Sequence, residues 1–218
     1  MFLSIVSIKA VFNPLQLHNM ESYKAEKDII QCKDFCDAYD KLTQGKEKEE
    51  GVYYQVRLPD LNANFIVWKE NNKVKSKFQG NFFNIINRDS TKTLVQFKKY
   101  PSFVRYDCID QLNASILHLV CYFGLAEFVE DFISKENCRR PGNFLYTPLH
   151  YACMNPMNPF SPGDLETVQE VIKVAGNEAF GDRSLHGYFP INYTQNQEVI
   201  EYLNEIGSLL QHIPHEMF

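Results

Sequence analysis

Apolar and polar positions change their period partway along this chain, and the change separates two kinds of predicted element. Val52-Tyr53-Tyr54-Gln55-Val56-Arg57-Leu58 alternates and is rich in aromatic and β-branched residues, the pattern of a half-buried strand. Asn64-Phe65-Ile66-Val67-Trp68 follows a Pro59-Asp60 turn, so the two runs read as a hairpin. Upstream, Ser4 to Phe12 is a third strand candidate, and Asp34 to Leu42 suits a short helix closed by Gly45. Further on, Asp89 and Ser90 can cap a helix over Thr91 to Tyr100, with Leu94, Val95 and Phe97 on one side, until Pro101 forbids continuation. A second connecting helix is expected from Phe103 to Leu112.

Beyond that point the pattern repeats. Thr147-Pro148-Leu149-His150-Tyr151-Ala152-Cys153 is a T-P-L-H-x-A motif, which opens the first helix of an ankyrin repeat. Thr147 can cap the helix, Pro148 suits its first turn, and His150 is expected to be a structural hydrogen-bonding residue. Ser115-Ile116-Leu117-His118-Leu119-Val120-Cys121 aligns with it 32 residues earlier, close to the ankyrin period of about 33. Each first helix has a partner: Ala126 to Ser134 after Gly124, and Asp164 to Ala175 after the breaker-rich Asn155 to Gly163. A degenerate third copy begins at Tyr188-Phe189-Pro190-Ile191-Asn192-Tyr193, and Val199 to Leu210 supplies a last helix.

The expected fold class is therefore α+β: a small mainly β N-terminal unit followed by a short α-helical ankyrin-repeat solenoid. The expected boundaries are 1–88 for the strand-rich unit, 89–113 for connecting helices, and 114–218 for about three repeats, with a Pro-rich insertion at 154–163. The concave face of such a stack points to partner binding, with Asn143, Tyr146, Tyr151 and Tyr188 as the exposed candidates. Packing between repeats is the competing role for Tyr151 and for Phe144.

Composition narrows the function classes. The 218 residues are 44% hydrophobic and 22% charged, ordinary for a globular chain, and the formal charge of −5 argues against a general nucleic-acid partner. Charge is uneven, since Lys69, Lys73, Lys75, Lys77, Lys98, Lys99 and Arg105 make the middle basic. That region is either a solvated face or a patch for anionic lipid or phosphate. Six cysteines show no tight framework and read as reduced cytosolic thiols, and Cys32-x3-Cys36 lacks the second pair that a zinc site needs. The apolar start, Met1 to Ile8, lacks a basic segment before it and meets Lys9 short of a spanning length, so it reads as a buried strand, with shallow membrane contact as the alternative.

Motifs for chemistry are missing. There is no G-x-S-x-G, G-x-x-x-x-G-K, G-x-G-x-x-G or H-E-x-x-H. No catalytic residue, metal ligand or cofactor is therefore expected.

In its order of features the chain resembles the N-terminal region of group VI calcium-independent phospholipases A2. The landmarks are Phe12-Asn13-Pro14, the strand Val52 to Leu58, Tyr100-Pro101-Ser102-Phe103, the first repeat from Ser115, and Thr147 to Cys153. The resemblance implies a regulatory, non-catalytic role, since the family's lipase serine in G-x-S-x-G and its aspartate have no counterpart here. It also implies a protein partner, such as a full-length calcium-independent phospholipase, a cytoplasmic location, and weak peripheral membrane contact. Two alternatives stand beside it: the front end of an active lipase, and an unrelated ankyrin adaptor.

Overall fold

The computed structural model describes residues 29–44, 52–154 and 163–211. The strand candidate Ser4 to Phe12 lies outside them, as does all but the ends of the Pro-rich insertion.

Strand β1 (Ile29–Cys32) leads into α1 (Phe35–Gln44), and β2 (Tyr53–Leu58) then runs parallel to β1, as a helical crossover permits. Asp34 starts α1 by accepting the Asp37 N–H at 2.9 Å, and Phe35, Ala38 and Leu42 form its buried stripe. A 3₁₀ turn at Pro59–Leu61 and a left-handed Asn62 reverse the chain into β3 (Ala63–Glu70), antiparallel to β2. Asn71 and Asn72 are both left-handed and make the tight turn into β4 (Lys73–Phe78), antiparallel to β3. Asn tolerates positive φ, so this pair serves where Asn-Gly is commoner. The sheet order is β1-β2-β3-β4.

One face of the sheet is covered. Phe65 meets Phe35 of α1 at 5.2 Å between ring centres and Phe78 of β4 at 5.0 Å. Short α2 (Phe82–Ile86) adds Phe82, α3 (Ser90–Phe97) adds Phe97, and α4 (Ser102–Arg105) adds Phe103, whose carbonyl accepts the Ser76 hydroxyl at 3.0 Å. Helix α3 begins as expected at the Asp89 cap, but it buries Thr93 with Leu94 and Phe97 and leaves Val95 exposed. The second connecting helix stops at Arg105 and does not reach Leu112. Asp110 explains the stop, because its carboxylate accepts the backbone N–H groups of Phe82, Leu112 and Ala114 and so holds the chain in a turn.

The helical half comprises α5 (Ile116–Tyr122), α6 (Ala126–Phe132), α7 (Pro148–Met154), α8 (Leu165–Ala175) and α9 (Gln197–Gln211). α5 packs on α6 and α7, and α8 closes the group against α6 and α7. The expected helical ankyrin solenoid does not form. The third copy folds as a 3₁₀ turn at Pro190–Tyr193, so it contributes α9 but no first helix. Two complete helix pairs fall short of the three that a stack needs. Their apolar faces belong instead to a buried cluster that runs from Phe35 and the sheet through to Ile206. Among the described residues the fold is α+β, with a four-stranded mixed sheet and helices sharing that core.

Candidate interaction surface

Two buried histidines fix the surface loops. Ser115 caps α5 in a reciprocal box: the His118 N–H reaches Ser115 Oγ, and His118 Nδ1 accepts the Ser115 N–H at 3.1 Å. With Nδ1 accepting, the proton sits on Nε2, which donates to the Arg140 carbonyl at 3.1 Å. His150 makes the same ring contacts at α7. Its Nδ1 accepts the Thr147 N–H at 3.1 Å, and its Nε2 donates to the Tyr188 carbonyl at 3.2 Å. Burial lowers both pKa values, that of His118 to about 4, so each ring is neutral and serves as a joint between a helix start and the next loop.

His118 thus anchors the chain at Arg140, just before the loop Gly142–Tyr146, and its ring lies beside Gly142, while His150 anchors the loop Ser184–Tyr188. In the first, the Gly142 N–H donates to the Tyr146 carbonyl at 2.8 Å, and the Tyr146 N–H to the Asn143 carbonyl at 3.1 Å. Phe144 and Leu145 between them have φ of 55° and 59°, the two positive values of a type I′ turn. Bulky residues adopt that region at a cost of roughly 1 kcal/mol each. The strain displays Leu145, which is 47% exposed. In the second loop the Ser184 N–H donates to the Tyr188 carbonyl at 2.9 Å, and Leu185 and Tyr188 are 62% and 55% exposed. The Leu185 N–H donates to the Phe144 carbonyl at 2.7 Å, and His186 stacks on Phe144 at 6.0 Å, which joins the loops into one surface.

Of the residues singled out in the sequence, Asn143 is half-buried in the strained turn, where its side-chain oxygen accepts the Phe144 N–H at 3.1 Å. Tyr146 is half-buried, edge-on to Tyr151 and Tyr193. Tyr151 is buried, 5.0 Å from His118 and edge-on to it, and supports the loops from beneath. Tyr188 lies on the surface itself. Leu145, Leu185 and His186 join the surface, and no local sequence pattern marks them as partner contacts. Their signal is conformational and long-range: a strained turn, and a contact across some forty residues.

The rim is polar. Arg139 holds Asp182 in a two-pronged ion pair, and Arg183 lies over Phe189 at 4.1 Å while donating to the Gly187 carbonyl. An apolar centre inside a charged rim is the anatomy of a protein-binding patch.

The remaining reactive groups point elsewhere. All six cysteines are free thiols; Cys108, Cys121, Cys138 and Cys153 are buried, and burial pushes the Cys108 thiol up to about 12. Among the described residues, no three of His, Cys, Asp or Glu converge where a metal ion could sit. No helix among them is long and apolar enough to cross a membrane. These elements define an α+β protein carrying a preorganised two-loop surface. No family model matches the chain, and no curated protein matches it.

Proposed function

We propose that the chain is a non-catalytic protein–protein interaction module whose partner seats on Leu145, Leu185 and Tyr188. The observation that carries this reading is the strained turn at Phe144 and Leu145. Two adjacent bulky residues held at positive φ oppose folding stability, and their effect is to place an apolar side chain in solvent. The sequence resemblance names the partner class: a full-length calcium-independent phospholipase A2, whose hydrolysis of phospholipid the module regulates in the cytoplasm. The free, largely buried thiols suit that compartment.

The experiment is a binding measurement between the immobilised chain and a full-length calcium-independent phospholipase. Wild type binds, and Leu185→Asp weakens binding about tenfold or more, the scale of a central apolar contact. The thermal transition stays in place, because Leu185 is 62% exposed. Equal binding by the two proteins refutes the assignment of the surface.

A further inference from the structure

The outer face of the sheet is a second surface, remote in composition from the two loops. Side chains alternate along each strand, and the helices α1 to α4 reach the sheet through Phe65, Ser76 and Phe78 on its inner face. On the outer face, the strand register sets Ile29, Tyr53, Trp68 and Lys75 in one row across the four strands. Lys73 and Lys77 flank Lys75 on β4, with about 7 Å between successive same-face positions. Arg57 adds a fourth cation on β2, while Glu70 pairs with Lys75, Glu136 lies within electrostatic reach of Lys73, and the buried Asp110 lies within reach of Lys77. This positive face stands on a chain whose formal charge is −5.

Beside the row the face is closed by side-chain amides. Gln31 Nε2 donates to Gln55 Oε1, and Gln55 Nε2 donates to Gln79 Oε1 at 2.8 Å, a chain of amides that crosses over β3. Ile66, which points outward between them, is only 4% exposed. The face thus offers an aromatic and aliphatic row, a line of lysines, and few amide groups left to read a ligand's edges.

We propose that this face docks on the surface of an anionic phospholipid bilayer. Tyr and Trp place an apolar body and a polar tip at the headgroup level, and lysine stems lie along apolar surface while their ammonium groups reach phosphate and carboxylate. Ile29, 37% exposed at the end of the row, supplies a shallow apolar contact. Charge complementarity selects anionic lipid, since each lysine near such a surface adds to the attraction independently. Single-stranded nucleic acid is the less suited occupant. Tyr53 and Trp68 stand against each other at 6.3 Å, tilted by 39°, and the amides that would read base edges are engaged with one another.

Trp68 is the chain's only tryptophan, so its fluorescence reports on this face directly. The full chain is titrated with phosphatidylcholine–phosphatidylserine vesicles, with pure phosphatidylcholine vesicles, and with an oligothymidylate. The anionic vesicles should shift Trp68 emission to the blue, with binding that falls as salt rises. The triple variant Lys73→Gln, Lys75→Gln, Lys77→Gln should partition roughly 100-fold more weakly while keeping its thermal transition. Leu185→Asp should bind these vesicles as wild type does, which separates this face from the partner surface. Equal binding to both vesicle types, salt-insensitive binding, an unchanged triple variant, or a shift with the oligonucleotide but not with vesicles each overturns the proposal. If the triple variant fails to fold, the salt series and the comparison of vesicle types on wild type decide.

Discussion

Replacing Asp110 with Asn should expose a dependence of stability on pH that the wild-type protein largely hides. Two buried groups set it, with opposite signs. His118 is fully buried and neutral, and burial lowers its pKa from 6.5 to about 4. A depressed folded pKa means that its stabilisation is complete above pH 6.5 and is lost as the pH falls toward 4. By about pH 5 the loss is roughly 2 kcal/mol relative to about pH 7.5. Asp110 behaves in reverse. Burial raises its pKa from 3.8 to about 6, despite N–H donation from Phe82, Leu112 and Ala114. A raised folded pKa means that its contribution is fully present below pH 3.8 and disappears as the pH rises through 6. Acidification to about pH 5 therefore restores about 1.4 kcal/mol. The pair nearly cancels in the wild type, leaving a fall of about 0.6 kcal/mol, to which His150 adds in the same direction as His118. In Asp110→Asn the restoring half is gone, and the fall grows to about 2 kcal/mol. Urea unfolding curves for both proteins across this pH range measure the difference directly. An Asn variant as insensitive to pH as the wild type refutes the opposition of the two groups.

Two further substitutions test the packing and the turn. Phe65→Ala removes the ring that meets Phe35, Phe78, Phe82 and Phe97, and unfolding free energy should fall by about 3–5 kcal/mol in urea titration. Leu145→Asn relieves about 1 kcal/mol of left-handed strain and gives up about 1 kcal/mol from a half-buried leucine, so stability should stay within about 0.5 kcal/mol while partner affinity drops. Marked destabilisation of this variant would show that Leu145 holds the fold and not a partner.

Much of the architecture could be read from particular residues. Phe35, Ala38 and Leu42 repeat at helical spacing, and Tyr54 and Val56 alternate with Tyr53, Gln55 and Arg57, so α1 and β2 were legible from period alone. Strand β4 was not, because Lys73, Lys75 and Lys77 drew attention as charge. Their alternation with Val74, Ser76 and Phe78, after the Asn71-Asn72 turn, is itself a strand signal. β1 is four residues long and largely exposed, which leaves little period to see. The T-P-L-H motif predicted the helix that starts at Pro148 and the hydrogen-bonding role of His150 beside Thr147, yet it could not fix how many copies would stack. Pro190 to Tyr193 closed into a 3₁₀ turn, which ended the row after two helix pairs. The candidate surface was legible only in part, through Asn143, Tyr146 and Tyr188. Leu145 takes a backbone conformation that its residue type disfavours, and Leu185 reaches Phe144 only through tertiary folding.

Recruitment of a protein partner by the two loops, as proposed, is tested most directly by the affinity of the full chain for a full-length calcium-independent phospholipase A2, measured for wild type beside Leu185→Asp under identical salt and pH. Saturable wild-type binding that weakens about tenfold or more in the variant, with both proteins melting alike, is the predicted result. Absence of wild-type binding, or binding that Leu185→Asp leaves unchanged, contradicts it.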